Sequence, residues 1–257
     1  MRHTTLFPLL SFCLCFLCKT EAVADDFEPD PLMPALSPQA PLAPDTFDID
    51  QETYHIANYK VGGIDVSHYQ GKINWKEVTY NKLAYVYIKA TEGAKYVDQT
   101  YYANLKGAKQ VGLRVGAYHF YSPTANIHEQ FRNFTSVVKL KDHDLIPIID
   151  IEHRGRAPLA RFQGSLRQFL RMVEKHYGVR PILYTSRDFY NKYLSGPFTN
   201  YKYMIARYHE DIPKLRDDAA FVMWQYSATS RIHGIRGNVD RSCLMDNYSL
   251  SDILLHP

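Results

Sequence analysis

The chain has 257 residues, with 30 Lys and Arg against 27 Asp and Glu. That length suits one sizeable core, and a hydrophobic share of 46% excludes a chain disordered throughout. Cys13, Cys15 and Cys18 fall near the start and only Cys243 lies beyond them, so a domain stapled by its own disulfides is excluded once the start is removed. The net charge of +3 hides an asymmetry. Residues 25–52 carry eight acids and no Lys or Arg, whereas from residue 53 onward 28 Lys and Arg stand against 18 Asp and Glu, a balance of +10. A basic body suits a polyanionic partner such as a wall polymer or membrane surface, and the same charge also serves solubility.

Residues 1–24 read as a secretory signal peptide. Arg2 supplies the positive start, Leu6 to Cys18 is an uncharged apolar run, and Ala22-Val23-Ala24 is a small-x-small cleavage site before Asp25. The run is shorter than the ~20 residues that span a bilayer, so no stable membrane insertion is expected after cleavage, and the product is expected to be secreted or extracytoplasmic. Lipidation at Cys15 or Cys18 is the lesser alternative, because Leu14 and Leu17 stand where a small residue belongs. Residues 25–60 hold Pro29, Pro31, Pro34, Pro38, Pro41 and Pro44 among the acids and read as a disordered or semi-rigid spacer.

Residues 61–257 read as one domain. Gly62 to Ser67 and Tyr85 to Thr91 are strands, the second rich in β-branched and aromatic residues. Thr100 to Gln110 has helical spacing with Gly112 as its stop, Leu113 to Tyr121 is a strand, and Asn126 to Leu140 an amphipathic helix. Leu145 to Ile151 is a buried strand, Leu159 to Tyr177 a helix closed by Gly178, and Pro181 to Thr185 a strand. Arg187 to Leu194 is a helix, and Tyr203–Ala206, Phe221–Tyr226 and Asn238–Asp240 are short strands. Strands alternating with helices predict parallel pairing. The pattern fits an α/β fold, an irregular TIM-like (β/α) barrel of about eight strands with helices largely missing between the last ones. An open doubly wound sheet is the alternative, but no Gly-rich phosphate loop follows the first strand.

In such a barrel, chemistry sits at the C-terminal strand ends. Asp65, Glu92, Asp150, Glu152 and Asp240 all fall at such ends. Asp150 and Glu152 follow the apolar run Ile146-Pro147-Ile148-Ile149. Strand alternation turns them to one side with Cα atoms ~6.6 Å apart. Like charges that close raise at least one pKa, so that one carboxyl can donate a proton while the other stays ionised. That division of labour suits glycosidic bond cleavage. Tyr118, His119, Phe120, Tyr121, Tyr184, Trp224, Gln225 and Tyr226 lie near the same ends and suit a sugar groove, although each ring taken singly is an ordinary core residue.

A metal reading of Asp142, His143, Asp144, Asp150, Glu152 and His153 fails on distance, because Asp144 and Glu152 flank one strand ~25 Å apart if it stays extended. No metal or cofactor is expected. Nucleic acid has only the basic charge in its favour, without a recognisable module. Asn133-Phe134-Thr135 and Asn247-Tyr248-Ser249 match the glycosylation triplet, a pattern common by chance.

Taken together, these residues resemble glycoside hydrolase family 25, the lysozymes of the N-acetylmuramidase type. The opening motif is Gly63-Ile64-Asp65-Val66-Ser67-His68-Tyr69-Gln70-Gly71, with Ile73-Asn74-Trp75 after it. Lys89-Ala90-Thr91-Glu92-Gly93, Gly116-Ala117-Tyr118-His119-Phe120, Asp150-Ile151-Glu152, Trp224-Gln225-Tyr226 and Asp240 then follow in the family's order, covering about residues 62–248. The resemblance implies hydrolysis of the β-1,4 bond between N-acetylmuramic acid and N-acetylglucosamine in peptidoglycan, by a monomer without cofactor. It implies Glu152 as general acid and Asp150 as the partner carboxylate near the substrate acetamido group. Asp65 and Glu92 would be further active-site acids and Asp240 a late one. Two rival expectations remain: a wall-binding protein that does not cut, and a glycosidase acting on another N-acetylated polysaccharide.

Overall fold

The structure is a computed structural model that describes residues 61–209 and 211–256. The expected signal peptide, the spacer and Cys15 and Cys18 lie outside the described residues. Nine strands run β1 (Gly62–Val66), β2 (Tyr85–Glu92), β3 (Tyr96–Val97), β4 (Arg114–Phe120), β5 (Ile148–Asp150), β6 (Ile182–Ser186), β7 (Tyr203–Ala206), β8 (Met223–Ser230) and β9 (Val239–Leu244). Eight of them close a ring in the order β1-β2-β4-β5-β6-β7-β8-β9, while β3 pairs only with β2 as a hairpin. The fold is thus the expected irregular α/β barrel.

Two details depart from the expectation. The pairing is not all parallel: β9 runs antiparallel to both β8 and β1. The link between β8 and β9 is too short for a crossover helix, so the chain turns back on itself. The strand expected over Leu145 to Ile151 is ordered as β5 only from Ile148, because Pro147 has no N–H to give a ladder. Leu145 instead bridges to Leu254, and the Ile146 N–H donates to the Ile253 carbonyl at 2.8 Å, which lays the C-terminal segment across the lower end of the barrel.

The helices are α1 (Trp75–Val78), α2 (Tyr101–Gln110), α3 (Ile127–Val137), α4 (Leu159–Tyr177) and the short α5 (Arg187–Phe189), which runs on as a π turn over Tyr190–Leu194. The Asn126 side chain caps α3 by accepting from the His128 and Glu129 N–H groups. Gly178, at φ 70°, ends α4 in the left-handed conformation that glycine adopts freely. Among the described residues no helix is long and apolar enough to cross a membrane.

Two apolar clusters follow from the strand period of two. Outward residues such as Val86, Ile88, Val115, Ile149 and Leu183 pack against Phe134, Phe162, Leu166 and Phe169 on α3 and α4. Inward residues, including Tyr85, Tyr87, Ile146, Ile148, Ile182, Met204, Met223 and Leu244, fill the lower barrel, with Ile253 beneath. Two glycines make room for the large rings. Gly63 pairs with Tyr85 and Gly116 with Tyr87, and a Cβ at either glycine would overlap the facing ring. Ring filling continues in hydrogen bonds: Tyr85 Oη with Ser242 Oγ at 3.1 Å, and Tyr87 Oη to the Ile146 carbonyl at 3.1 Å.

Gly116→Ala is therefore expected to destabilise the fold by ~1–3 kcal/mol, the usual effect of overpacking. Gly164→Ala, in α4 where an added Cβ meets nothing, is expected to stabilise it by ~0.5–1 kcal/mol. Urea unfolding of both variants checks the opposite signs; equal effects would contradict the barrel packing.

Candidate active site

Moving up most of the strands by one inward position takes the barrel lining from apolar to polar, β7 being the exception with Met204 followed by Ala206. Gly63 is followed by Asp65, Tyr87 by Lys89, Gly116 by Tyr118, Ile148 by Asp150, Ile182 by Tyr184 and Met223 by Gln225. On reversed β9 the step is from Ser242 to Asp240. Asp240 lies near the start of β9 rather than at its end, yet the antiparallel run brings it opposite Asp65. The acids from distant parts of the sequence thus meet at one mouth.

Glu92 arrives by a local irregularity. The β2–β4 register shifts between Lys89 and Thr91, leaving Ala90 as an extra residue. After the bulge Thr91 faces the helices, where its hydroxyl meets His119 Nδ1 at 2.7 Å. Glu92 is thereby returned to the side of Lys89, and their charged groups are 2.6 Å apart. The Lys89 ammonium, 6% exposed, also stands 5.1 Å from the Phe120 ring centroid and 5.6 Å from that of Tyr96.

Gln225 is a hub. Its Oε1 accepts from Tyr184 Oη at 2.7 Å and from Tyr208 Oη at 2.9 Å, and its Nε2 donates to Asp65 Oδ2 at 3.0 Å. Burial pushes Asp65 up to about 8, with the Gln225 hydrogen bond opposing and the charge of Asp240 adding. Burial likewise lifts Asp240 to about 6. Asp150 is raised well above the carboxylate range by burial and by Glu152, against the pull of Lys89. Its Oδ1 is buried with no hydrogen-bond partner among the described residues. Glu152 opens to solvent at the rim, but the protein around it and the charge of Asp240 still raise it, again against Lys89. Two carboxyls that cannot both ionise easily hold a proton between them.

Not every expected residue reaches the mouth. Tyr118, Tyr184, Gln225 and Asp240 do, with Asp65, Glu92, Asp150 and Glu152. His119 is fully buried on the outer face of β4, between Thr91 and Gln130 and against Phe134 and Phe169. Burial pulls it down to about 3, so it is a neutral packing group. Tyr121 packs on Phe169, and Trp224 donates its Nε1–H to the Arg207 carbonyl in the outer core with Tyr226 beside it. In each case strand alternation sends the ring to the outer side of the barrel. Conversely, Lys89 and Tyr208 belong to the mouth and were not singled out. A lysine inside an otherwise apolar run from Tyr85 to Ala90 was the available signal; Tyr208 left none. Asn133 does not present its side chain as a glycosylation acceptor. Its Nδ2 donates to the carbonyls of Gly93 and Tyr96 at 3.0 Å each and holds the β2–β3 turn.

Known proteins resemble this chain closely. Residues 64–235 match the family described as "Glycosyl hydrolases family 25". An uncharacterized protein, YegX of Escherichia coli strain K12, is 36% identical over 189 residues, covering 72% of this chain and 69% of that protein. Lysozyme M1 of Streptomyces globisporus is 31% identical over 196 residues, covering 71% of this chain and 67% of that protein. The solved structure of a family 25 glycosyl hydrolase from Bacillus anthracis superposes with a TM-score of 0.69 at 27% identity, covering 76% of this chain and 92% of that one.

The raised carboxyls set a stability profile. Below about pH 7.5 they compete with His119, His143 and His153, which burial lowers in the folded state and which gain protons on unfolding. From about 7.5 to about 8.5 those imidazoles hold little proton in either state, while Asp65 still holds part of a proton when folded and none when unfolded. The folded state then binds more protons, so stability falls as pH rises, by at most ~1.4 kcal/mol per pH unit for one proton. Asp65→Asn is expected to flatten this decline in urea unfolding at about pH 7.5 and 8.5. A wild-type stability that rises over the same interval would contradict the assignment.

Proposed function

The chain belongs to glycosyl hydrolase family 25, and we propose that it is an exported lysozyme that cuts the β-1,4 bond between N-acetylmuramic acid and N-acetylglucosamine in bacterial peptidoglycan. It is a glycoside hydrolase of the lysozyme type. The observation that carries the finer reading is the pair at the end of β5: Asp150 buried with an unbonded oxygen, Glu152 open at the rim, both raised. Glu152, protonated, gives its proton to the glycosidic oxygen as the C1–O bond breaks, so that the leaving sugar departs as a neutral alcohol. The pair shares one proton, and in the reacting arrangement that proton sits on Glu152, so that Asp150 as carboxylate faces the positive charge that develops at the anomeric carbon or on the acetamido group of the same sugar. Water then bonds to C1 and gives up one proton to the carboxylate pair, which restores it for the next cycle. Asp65 and Asp240 line the same cavity, where Gln225 and the tyrosines Tyr118, Tyr184 and Tyr208 offer hydrogen bonds to sugar hydroxyl and acetamido groups. Export rests on the signal-like residues 1–24, with residues 25–60 as a spacer and the basic body drawing the enzyme, a monomer, toward an anionic wall.

The primary test is product analysis. Chain beginning at Asp25 is incubated with purified peptidoglycan, the soluble fragments are reduced with borohydride, and their ends are read by mass spectrometry. Reduced N-acetylmuramic acid ends are expected. Glu152→Gln should lower kcat by ~10²–10⁴ with unfolding unchanged. Lysis retained in that variant, or glycan bound without cutting by the wild type, contradicts the proposal. The pH–rate profile gives a second test. Lys89 holds both members of the Asp150–Glu152 pair down, so Lys89→Met raises both apparent pKa values and moves the optimum of kcat/KM to higher pH. An unmoved optimum in the folded variant would remove Lys89 from the account.

A further inference from the structure

Beside the catalytic mouth two loops build a rigid aromatic strip that the chemistry above leaves unused. The first is the 3-10 turn His68–Gln70 directly after β1, fixed by a capping box between Ser67 and Gln70. Gln70 Nε2 also donates to the Asn238 carbonyl at 3.1 Å, tying the turn to the β8–β9 connection. The second is the β2–β3 hairpin, held by Asn133 and turned at Gly93 with φ 50°.

Asp98 locks the two loops together. Its side chain is fully buried, and it accepts from the His68 N–H at 3.0 Å, the Thr100 N–H at 2.9 Å and the Thr100 hydroxyl at 2.7 Å. It also meets His68 Nδ1 at 2.8 Å, with the Tyr96 hydroxyl oxygen 3.0 Å from the same nitrogen. Burial alone would raise Asp98, but these hydrogen bonds hold it below the ordinary aspartate range, so it is a carboxylate that accepts. The His68 Nδ1–H is therefore the donor, and Nε2, on the far side of the ring, makes no hydrogen bond among the described residues.

The rings around this imidazole reach solvent: Tyr69 is 66% exposed and Tyr96 40%. Ring centroids lie 4.1 Å apart for His68 and Tyr69, and 5.8 Å for His68 and Tyr96. Tyr96 in turn is the ring beside the Lys89 ammonium, which pairs with Glu92 inside the mouth. The strip is thus continuous with the acid cluster and leads outward from it.

We propose that His68, Tyr69 and Tyr96 form a sugar subsite beyond the bond that is cut, one that gives the enzyme a preference for long glycan strands over short ones. The C–H face of a pyranose stacks on the exposed rings, and His68 Nε2 hydrogen-bonds a hydroxyl group of the same sugar. Asp98 acts through His68 as a positioning residue. The preorganised loops mean that little side-chain freedom is lost on binding. The inference rests on the glycan-cutting reading above and names a determinant of its chain-length specificity.

The test compares wild type, Tyr69→Ala, Tyr69→Phe and His68→Gln on uncrosslinked glycan strands and on a tetrasaccharide of the same repeat. For Tyr69→Ala the ratio of kcat/KM on strands to kcat/KM on tetrasaccharide is expected to fall about tenfold, through KM on the strands, as loss of one stacked ring implies. Tyr69→Phe should restore it, because the ring face survives. His68→Gln should lower the ratio as well, since the ring and its fixed polar atom are lost. An unchanged ratio, or equal loss on both substrates, overturns the subsite. A parallel measurement of strand binding by calorimetry, with Glu152→Gln in every chain to stop cutting, separates the two readings. If the wild type cuts neither substrate the lysozyme reading fails, and the subsite then stands or falls on whether Tyr69→Ala weakens binding.

Discussion

A closed barrel of eight strands has an interior only wide enough for side chains to fill. Every inward position must therefore be occupied by something that packs, and whatever is polar there is cut off from water. In the lower barrel this is met by tyrosine rings laid over Gly63 and Gly116, with Met204, Met223 and Leu244 around them. One layer higher the same geometry surrounds Asp65, Lys89, Asp150 and Gln225. Burial is the largest cause of the raised pKa at Asp65, Asp150, Glu152 and Asp240 alike. The chemistry of the mouth is a consequence of how the barrel is filled.

Two departures from a regular barrel complete the cluster. The antiparallel β9 sets Asp240 against Asp65, which a parallel strand of the same sequence would not do with its first residues. The bulge at Ala90 puts Glu92 on the side of Lys89, three residues away, where an unbroken strand would turn it to the helices. The Lys89 ammonium acts on both Asp150 and Glu152 and opposes their mutual repulsion. Asymmetry between the two carboxyls then comes from exposure: Asp150 is enclosed, and Glu152 stands at the rim where a leaving sugar can reach it.

Much of this was legible in the order of the residues. Apolar runs ending in acids located the strand ends, Gly178 closed α4 where expected, and the motif order from Asp65 to Asp240 pointed to the family that the matches support. What was hidden depended on which face of a strand a residue takes. Tyr118 and His119, adjacent in one motif, part to opposite sides of β4, and so do Trp224 and Gln225 on β8. Composition weighs such neighbours equally; only the barrel's inside and outside distinguish them. The β2 bulge and the reversal of β9 left no local signal, since each arises from pairing with a distant strand. Lys89 was visible as an isolated charge in an apolar strand, but its partners are set by three-dimensional closure.

The central claim is that barrel closure, by burying carboxyls together, raises them all and keeps a proton on Asp65 and on the Asp150–Glu152 pair at neutral pH. A carboxyl-carbon NMR titration of the chain from Asp25, assigned residue by residue, tests this most directly. The expected result is a midpoint near pH 8 for Asp65 and near pH 6 for Asp240, with Asp150 and Glu152 both above ordinary carboxylates. Midpoints near pH 4 for all four acids in the folded protein would contradict it.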